Sequence, residues 1–345
     1  QTVSRRPAEA GPNVLLLIVD TWRADRAGLY GAERSTTPFL DEFAKQGRVF
    51  EEAISQSSWT APSVASILTG KYPIHHGVIH GQPLHHQNQT LAERFQDAGF
   101  STLAVSTNPL IGADDGYEQG FETFHHLPNI RGNQSEEIFQ LFTEWLEKNR
   151  DHQWFAYLHF MDPHDPYDAP APYRQTFSDQ AYDGAFADPD ALNKVFRKIN
   201  FGKSSPLPFT DEDIAYLEDT YDEEILSWDQ QFKKLVDWLQ GEGLLESTII
   251  VVTSDHGEEF AEHGLLKHGS QLYEESIRVP LVLRAPGRVA PGRVPRAVET
   301  RGIHDALIQL AGLPASSKAT PALLSEPSEK PRLVFSHLKY QPKPG

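Results

Sequence analysis

Asn13-Val14-Leu15-Leu16-Leu17-Ile18-Val19-Asp20 is the stretch that decides the fold. Alternating apolar and polar residues would mark a strand with one wet face. An unbroken apolar run marks a strand buried on both faces, as in a parallel sheet covered by helices. Thr248-Ile249-Ile250-Val251-Val252-Thr253 repeats the pattern and leads into Ser254-Asp255-His256-Gly257. Trp154-Phe155-Ala156-Tyr157-Leu158-His159-Phe160-Met161 is a third such run and closes on Asp162-Pro163-His164. Each run delivers Asp, or Asp with His, just past its carboxyl end, where open α/β sheets bind their ligands. The expected fold is α/β, with a mostly parallel central sheet sandwiched between helices.

The next stretch outward is Ser57-Ser58-Trp59-Thr60-Ala61-Pro62-Ser63-Val64-Ala65-Ser66-Ile67-Leu68-Thr69-Gly70. Pro62 opens a helix and Gly70 closes it. The Thr60 hydroxyl then sits at a helix N-terminus, where free N–H groups and the dipole favour anions. A threonine hydroxyl is a weak nucleophile unless a base or a metal activates it. Together with the three acidic strand ends, it points to a metal-assisted ester hydrolase or transferase. The plainer alternative is an N-cap threonine.

The remaining layout alternates helices and strands. Thr37 and Pro38 start a helix that Gly47 stops, and Thr90 with Glu93 forms a capping box. Phe100 to Val105 reads as a strand with Asn108 just beyond it, either a substrate contact or a turn asparagine before Pro109. Ile214, Leu217, Tyr221, Ile225, Trp228, Phe232, Leu235 and Leu239 keep helical spacing in a long helix that starts at Thr210. The aperiodic stretch at about 168–208 reads as an insertion over the site, a lid or a plain solvent loop. Residues 1–11 form an N-terminal arm, 12–312 the catalytic domain, and 313–345 a loosely structured tail.

Composition excludes some classes. Lys+Arg 31 against Asp+Glu 48 gives a net charge of -17. General nucleic-acid binding needs a basic footprint, so it is excluded. An anionic substrate is not, because metal and local amides can reverse the field at a site. Zero cysteines rule out disulfides and thiolate metal sites. No apolar run approaches the ~20 residues of a transmembrane helix.

At these residues the sequence resembles the sulfatase-like branch of the alkaline phosphatase superfamily. The resemblance is carried by Pro12 to Asp25, Thr36-Thr37-Pro38-Phe39-Leu40-Asp41, Thr60 to Pro73 with His76-Gly77-Val78, Asp162 to Tyr167, Asp255-His256-Gly257-Glu258, and His268-Gly269 with Tyr273 to Leu281. It implies an alkaline phosphatase-like α/β fold, here with the C-terminal subdomain reduced or missing, and export to the periplasm or medium. Sulfatases of the usual kind carry Cys or Ser, converted to formylglycine, where Thr60 stands, and Arg where Val64 stands. Their second aspartate is Thr21 here, and their Asp-Asn pair is Asp255-His256. A threonine nucleophile with Asp-His is more similar to the phosphodiesterases, phosphonate monoester hydrolases and phosphoglycerol transferases of the superfamily.

The resemblance assigns the residues as follows. Asp20, Thr60, Asp255 and His256 hold one divalent metal, Zn²⁺ or Mn²⁺ ahead of Ca²⁺ or Mg²⁺. His164, His268 and Lys267 stabilise the reacting group and protonate the leaving oxygen. In the two-metal alternative Asp162, His164 and His268 hold a second ion. Asn108 contacts substrate. The expected reaction is hydrolysis or transfer of a phosphate ester, a diester or phosphonate monoester, through a phospho-Thr60 intermediate. The alternatives are a sulfatase without formylglycine and an inactive binding protein of this fold. The expected substrate is a small-molecule, lipid-linked or glycan-linked phosphate or sulfate ester, with no nucleic-acid partner.

Overall fold

A computed structural model describes residues 11–79, 81–128, 134–179, 181–188, 191–192, 194–195, 209–315, 321–325 and 333–338. Nearly all of the N-terminal arm, the later part of the insertion and much of the tail lie outside the described residues. The strands are β1 (Asn13–Val19), β2 (Arg48–Ile54), β3 (Ser101–Ser106), β4 (Thr123–His126), β5 (Trp154–Phe160), β6 (Thr248–Thr253), β7 (Glu259–Phe260), β8 (Leu266–Lys267), β9 (Arg278–Val279), β10 (Leu281–Arg284) and β11 (Gly292–Glu299). The helices are α1 (Pro38–Phe43), α2 (Thr60–Thr69), α3 (Pro73–His76), α4 (Leu91–Asp97), α5 (Ser135–Asn149), α6 (Asp211–Gly241), α7 (Glu274–Ile277) and α8 (Gly302–Leu310).

The main sheet runs β11-β2-β10-β6-β1-β5-β3-β4. Pairing is parallel except at β10 and at β9, which run antiparallel to their neighbours. β1 lies between β5 and β6, with Ile18 opposite both His159 and Thr253. The alternating residues of β1 feed two cores. Leu15, Leu17 and Val19 join Phe142, Trp228 and Phe232 of α5 and α6. Val14, Leu16 and Ile18 join Ile67, Phe95 and Leu307 of α2, α4 and α8. An apolar run with no polar interruption is what two dry faces require. β1, β2, β3, β5 and β6 therefore end on one edge of the sheet, and their following residues meet there.

Local chemistry sets the helix ends. Thr90 and Glu93 form the expected capping box, at 3.1 and 2.7 Å. Thr210 and Asp213 form another at the start of α6. Thr37 differs: its hydroxyl caps no amide of α1 but donates to Asp41 Oδ1 and accepts from Gly28 N–H, both at 2.9 Å. Gly70 closes α2 in the left-handed region at φ 70°, a conformation that favours glycine.

The first part of the insertion is tied to α6 by carboxylates. Glu224 Oε1 accepts the Asp168 N–H at 2.7 Å, and Glu223 Oε1 accepts the Phe177 and Ser178 N–H groups at 2.9 and 2.8 Å. Two described stretches of the tail are tied to the sheet. Arg48 and Arg296 donate to the carbonyls of Leu323 and Ala322, and Leu323 is buried. Further on, Phe335 N–H donates to Glu299 Oε1 and His337 N–H to the Gln56 carbonyl. The reason is two arginines and a carboxylate on β2 and β11 and the Gln56 carbonyl just past β2, to which the sequence of the tail gives no clue.

The Asp255-His256-Gly257 turn is packed against backbone. Gly257 N–H donates to the Ser276 carbonyl at 2.8 Å, and a Cβ at Gly257 would lie 2.0 Å from the Glu275 carbonyl oxygen. Gly257→Ala should therefore cost about 1–3 kcal/mol of stability, read as a lower urea midpoint. An unchanged midpoint would mean that the turn is looser than this packing implies.

Candidate active site

Thr60 is the first residue of α2, entered from an extended Trp59 at φ -144° and ψ 137°. β2 leads to it through Ser55 to Trp59, while β1 delivers Asp20 and β6 delivers Asp255 and His256. All four side chains are buried. The N–H at His256 Nδ1 donates to the Gly257 carbonyl at 3.0 Å, which leaves the Nε2 lone pair pointing inward. The Thr60 hydroxyl donates to that nitrogen at 3.1 Å. Asp255 Oδ2 lies 3.4 Å and Asp20 Oδ1 3.8 Å from the same atom.

Asp20 Oδ1 and Asp255 Oδ2 have no hydrogen-bond partner, although both residues are fully buried. An uncompensated buried carboxylate oxygen is costly, and natural proteins rarely tolerate one without a ligand or an ion. A divalent cation would satisfy both, with imidazole nitrogen and hydroxyl oxygen completing a donor set that suits Zn²⁺ or Mn²⁺. The residues present therefore fit a metal.

The far oxygens of the two carboxylates are fully engaged. Asp255 Oδ1 accepts the N–H groups of His256 and Thr21, at 2.9 and 3.2 Å. Asp20 Oδ2 accepts Asn108 Nδ2 at 2.5 Å and His159 Nε2 at 3.2 Å. Burial pushes the Asp20 carboxyl up, but the hydrogen bond from His159 and the charges of the nearby histidines override it and hold Asp20 well below the usual range. Asp255 is pushed up, by burial first and then by the Asp20 charge.

Beside this centre stand His164, His268 and Lys267. The rings of His256 and His268 are 4.4 Å apart, and those of His164 and His268 are 5.2 Å apart. The two outer histidines have opposite electrostatics. Burial lowers both, but Asp165 and Asp20 outweigh it at His164 and raise its pKa. His268 is held far below its ordinary value, by burial first and then by the neighbouring imidazoles and Lys267. His268 is therefore neutral, and its Nδ1–H donates to Glu258 Oε1 at 2.9 Å. His164 Nδ1–H donates to the Asp165 carbonyl at 2.7 Å, which keeps Nε2 for the site side. Lys267 pairs with Asp165 Oδ1 at 2.5 Å.

Two expected placements differ. Asp162 does not join His164 and His268 in a second metal site. Its Oδ2 accepts from Ser135 Oγ at 2.9 Å, and burial raises both its carboxyl and that of the neighbouring Glu224. A carboxyl turned back toward α5 and α6 cannot also face the two imidazoles. Asn108 is only 2% exposed, and its side chain holds Asp20 Oδ2 and the Leu110 N–H rather than opening toward a substrate.

Among the described residues, the ligand-type side chains gathered within 4.8 Å of one another are Asp20, His159 and Asp255. His159 was not singled out from sequence, nor were Asp165 and Glu258. The signal for His159 was a histidine inside a run otherwise suited to two dry faces, which must find a polar partner. Arg23 grips Asp25 through two hydrogen bonds, of 2.9 and 2.7 Å, and braces the loop after Asp20. His76 is structural: Val78 N–H donates to its Nδ1, its Nε2 contacts Ser66 Oγ, and burial pushes its pKa down to about 4. Clefts of about 310 and 330 Å³ are lined by none of the groups around Thr60.

The Sulfatase family model matches residues 12–313. An uncharacterized sulfatase, YidJ of Escherichia coli (strain K12), is 25% identical over 319 residues, covering 80% of this chain and 63% of its own length. An ulvan-active sulfatase of Formosa agariphila is 27% identical over 320 residues, covering 83% of this chain and 58% of its own. The chain thus spans less than two thirds of either relative. The crystal structure of the phosphonate monoester hydrolase of Agrobacterium radiobacter superposes with a TM-score of 0.72 at 24% identity, covering 88% of this chain and 74% of that one. At that identity the likeness establishes the fold. No helix among the described residues is long and apolar enough to cross a membrane.

The Asp162 and Glu224 pair gives a stability test. Burial raises Asp162 to about 6, while burial and the Asp162 charge raise Glu224 further. Folded-state values above unfolded ones mean that stability is full below about pH 4 and falls as pH rises through 6. Glu224→Gln keeps a donor to Asp162 and removes the second charge. It should raise Tm by roughly 2–4 °C at pH 8 and leave it unchanged at pH 4. Equal shifts at both pH values would contradict the repulsion between the two buried carboxylates.

Proposed function

The chain belongs to the sulfatase family of the alkaline phosphatase superfamily, and from that premise we propose that it hydrolyses or transfers phosphorus esters through a covalent phospho-Thr60 intermediate. Phosphodiesters and phosphonate monoesters are the favoured substrates. The observation that carries this reading is the approach of Thr60 Oγ1 to His256 Nε2 at 3.1 Å, beside two buried carboxylate oxygens with no partner. Zn²⁺ or Mn²⁺ held by Asp20 Oδ1, Asp255 Oδ2, His256 Nε2 and Thr60 Oγ1 would lower the hydroxyl pKa and neutralise charge on the reacting oxygens.

The chain's own residues divide the remaining work. The N-terminus of α2 offers N–H groups and dipole to the anion. His164, biased toward its protonated form by Asp165 and Asp20, gives its Nε2 proton to the leaving oxygen. His268, kept neutral, offers an acceptor at Nε2 for the proton of the water that later attacks phosphorus. Imidazoles pushed in opposite directions suit one acid and one base. Lys267, oriented by Asp165, adds positive charge beside the equatorial oxygens. Thr60 in place of a formylglycine precursor, with His256 following Asp255, supports phosphorus over sulfur. The sulfatase relatives support the second reading, hydrolysis of a sulfate ester by unmodified threonine. In either case the substrate is a small-molecule, lipid-linked or glycan-linked ester, and the place of action is the periplasm or the medium.

A turnover panel on metal-loaded protein tests the reading, using an aryl phosphodiester, an aryl phosphonate monoester, an aryl phosphomonoester and an aryl sulfate. A phosphorus diester or phosphonate should dominate, and Thr60→Ala should lose roughly a thousandfold or more. Dominant sulfate turnover would favour the second reading. His164→Asn should slow an alkyl ester by about 10²–10⁴-fold and a p-nitrophenyl ester far less, since the better leaving group needs no acid. Equal losses on both would remove His164 from that role.

A further inference from the structure

We propose that His159 is a positioning residue, its tautomer set by Tyr157, that fixes which oxygen of Asp20 is presented to the metal. This rests on the metal-centre reading given above. His159 is fully buried on β5, in register with Ile18 of β1. The next backbone bond, Asp20 N–H to the Phe160 carbonyl at 2.9 Å, locks Asp20 to the same strand. The Tyr157 hydroxyl lies 2.8 Å from His159 Nδ1. Among the described residues this hydroxyl has no other hydrogen-bond acceptor, so it donates, Nδ1 accepts and the ring proton is on Nε2. That Nε2–H then donates to Asp20 Oδ2 at 3.2 Å.

Asn108 supplies a second donor to the same oxygen. Oδ2 thus holds two hydrogen bonds while Oδ1 holds none. A carboxylate so loaded presents one oxygen in one direction and keeps its charge. Ligating carboxylates supported in this way bind metal more tightly. The competing role is that His159 itself ligates, since its nitrogen lies within 4.8 Å of ligand atoms on Asp20 and Asp255. The tautomer argues against it, because a protonated Nε2 has no lone pair to give.

The test compares Zn²⁺ affinity, by competition with a chelating dye, and the visible spectrum of the Co²⁺ form, in wild type, H159Q, H159F and Y157F. A glutamine amide can reach Asp20 Oδ2 as a donor, and phenylalanine cannot. H159F should weaken Zn²⁺ binding roughly 10- to 100-fold while H159Q stays within about threefold of wild type and keeps its Co²⁺ spectrum. Y157F, which keeps the histidine and the volume, should bind more weakly than wild type, and it carries the test should H159F fold poorly. H159Q as weak as H159F with an altered Co²⁺ spectrum would make His159 a ligand and overturn the proposal. H159F or Y157F binding like wild type would overturn it as well. A wild-type protein that binds neither ion would instead sink the metal-centre reading itself.

Discussion

Asp20 and Asp255 each bring one oxygen near His256 Nε2, the atom that also meets Thr60 Oγ1, and neither oxygen has a hydrogen-bond partner. Like charges at this depth repel, and burial penalises each of them further. The protein spends stability to hold them so. Their opposite edges are tied down by Asn108, His159, the Thr21 amide and the His256 amide, so neither carboxylate can turn away. That frustration gives the position of Thr60 chemical meaning. The same hydroxyl at an ordinary helix start would be no more than a polar first residue.

The sheet makes the frustration affordable. The parallel strands end on one edge, and the two dry faces of β1 anchor the Asp20 end in both cores at once. Short loops from rigid strands place side chains more accurately than long ones do. The outer histidines show the same economy of means. Asp165 raises one and pairs with Lys267, while a neutral His268 is held in place by Glu258. Burial pushes Glu258 up to about 7, with Asp165 the next cause, so the carboxylates around the site are also poised by one another.

Much of this was legible in the sequence because it is carried by local signals. Unbroken apolar runs with an acid at the end announced β1 and β6 and placed Asp20, Asp255 and His256. A helix start announced Thr60, and spacing gave the whole of α6. What escaped depends on partners distant in the chain. Asp162 stands in the same kind of position as Asp20, and only Ser135 and Glu224 turn it the other way. Asn108 read as a substrate contact or a turn asparagine, and only the Asp20 carboxylate placed against it shows what its side chain holds. His159 was hidden by the apolar run around it. The antiparallel insertion of β10 between β2 and β6 left no trace in so short a segment.

The central proposal is that Thr60 Oγ1 takes the phosphoryl group. Its most direct test is an acid-quenched single turnover of the metal-loaded protein with a substrate radiolabelled at phosphorus, followed by peptide mapping. The account predicts transient label on the peptide that contains Thr60, appearing before free product and disappearing as product accumulates. Turnover that proceeds at full rate with label on no residue, or on a residue other than Thr60, would contradict it.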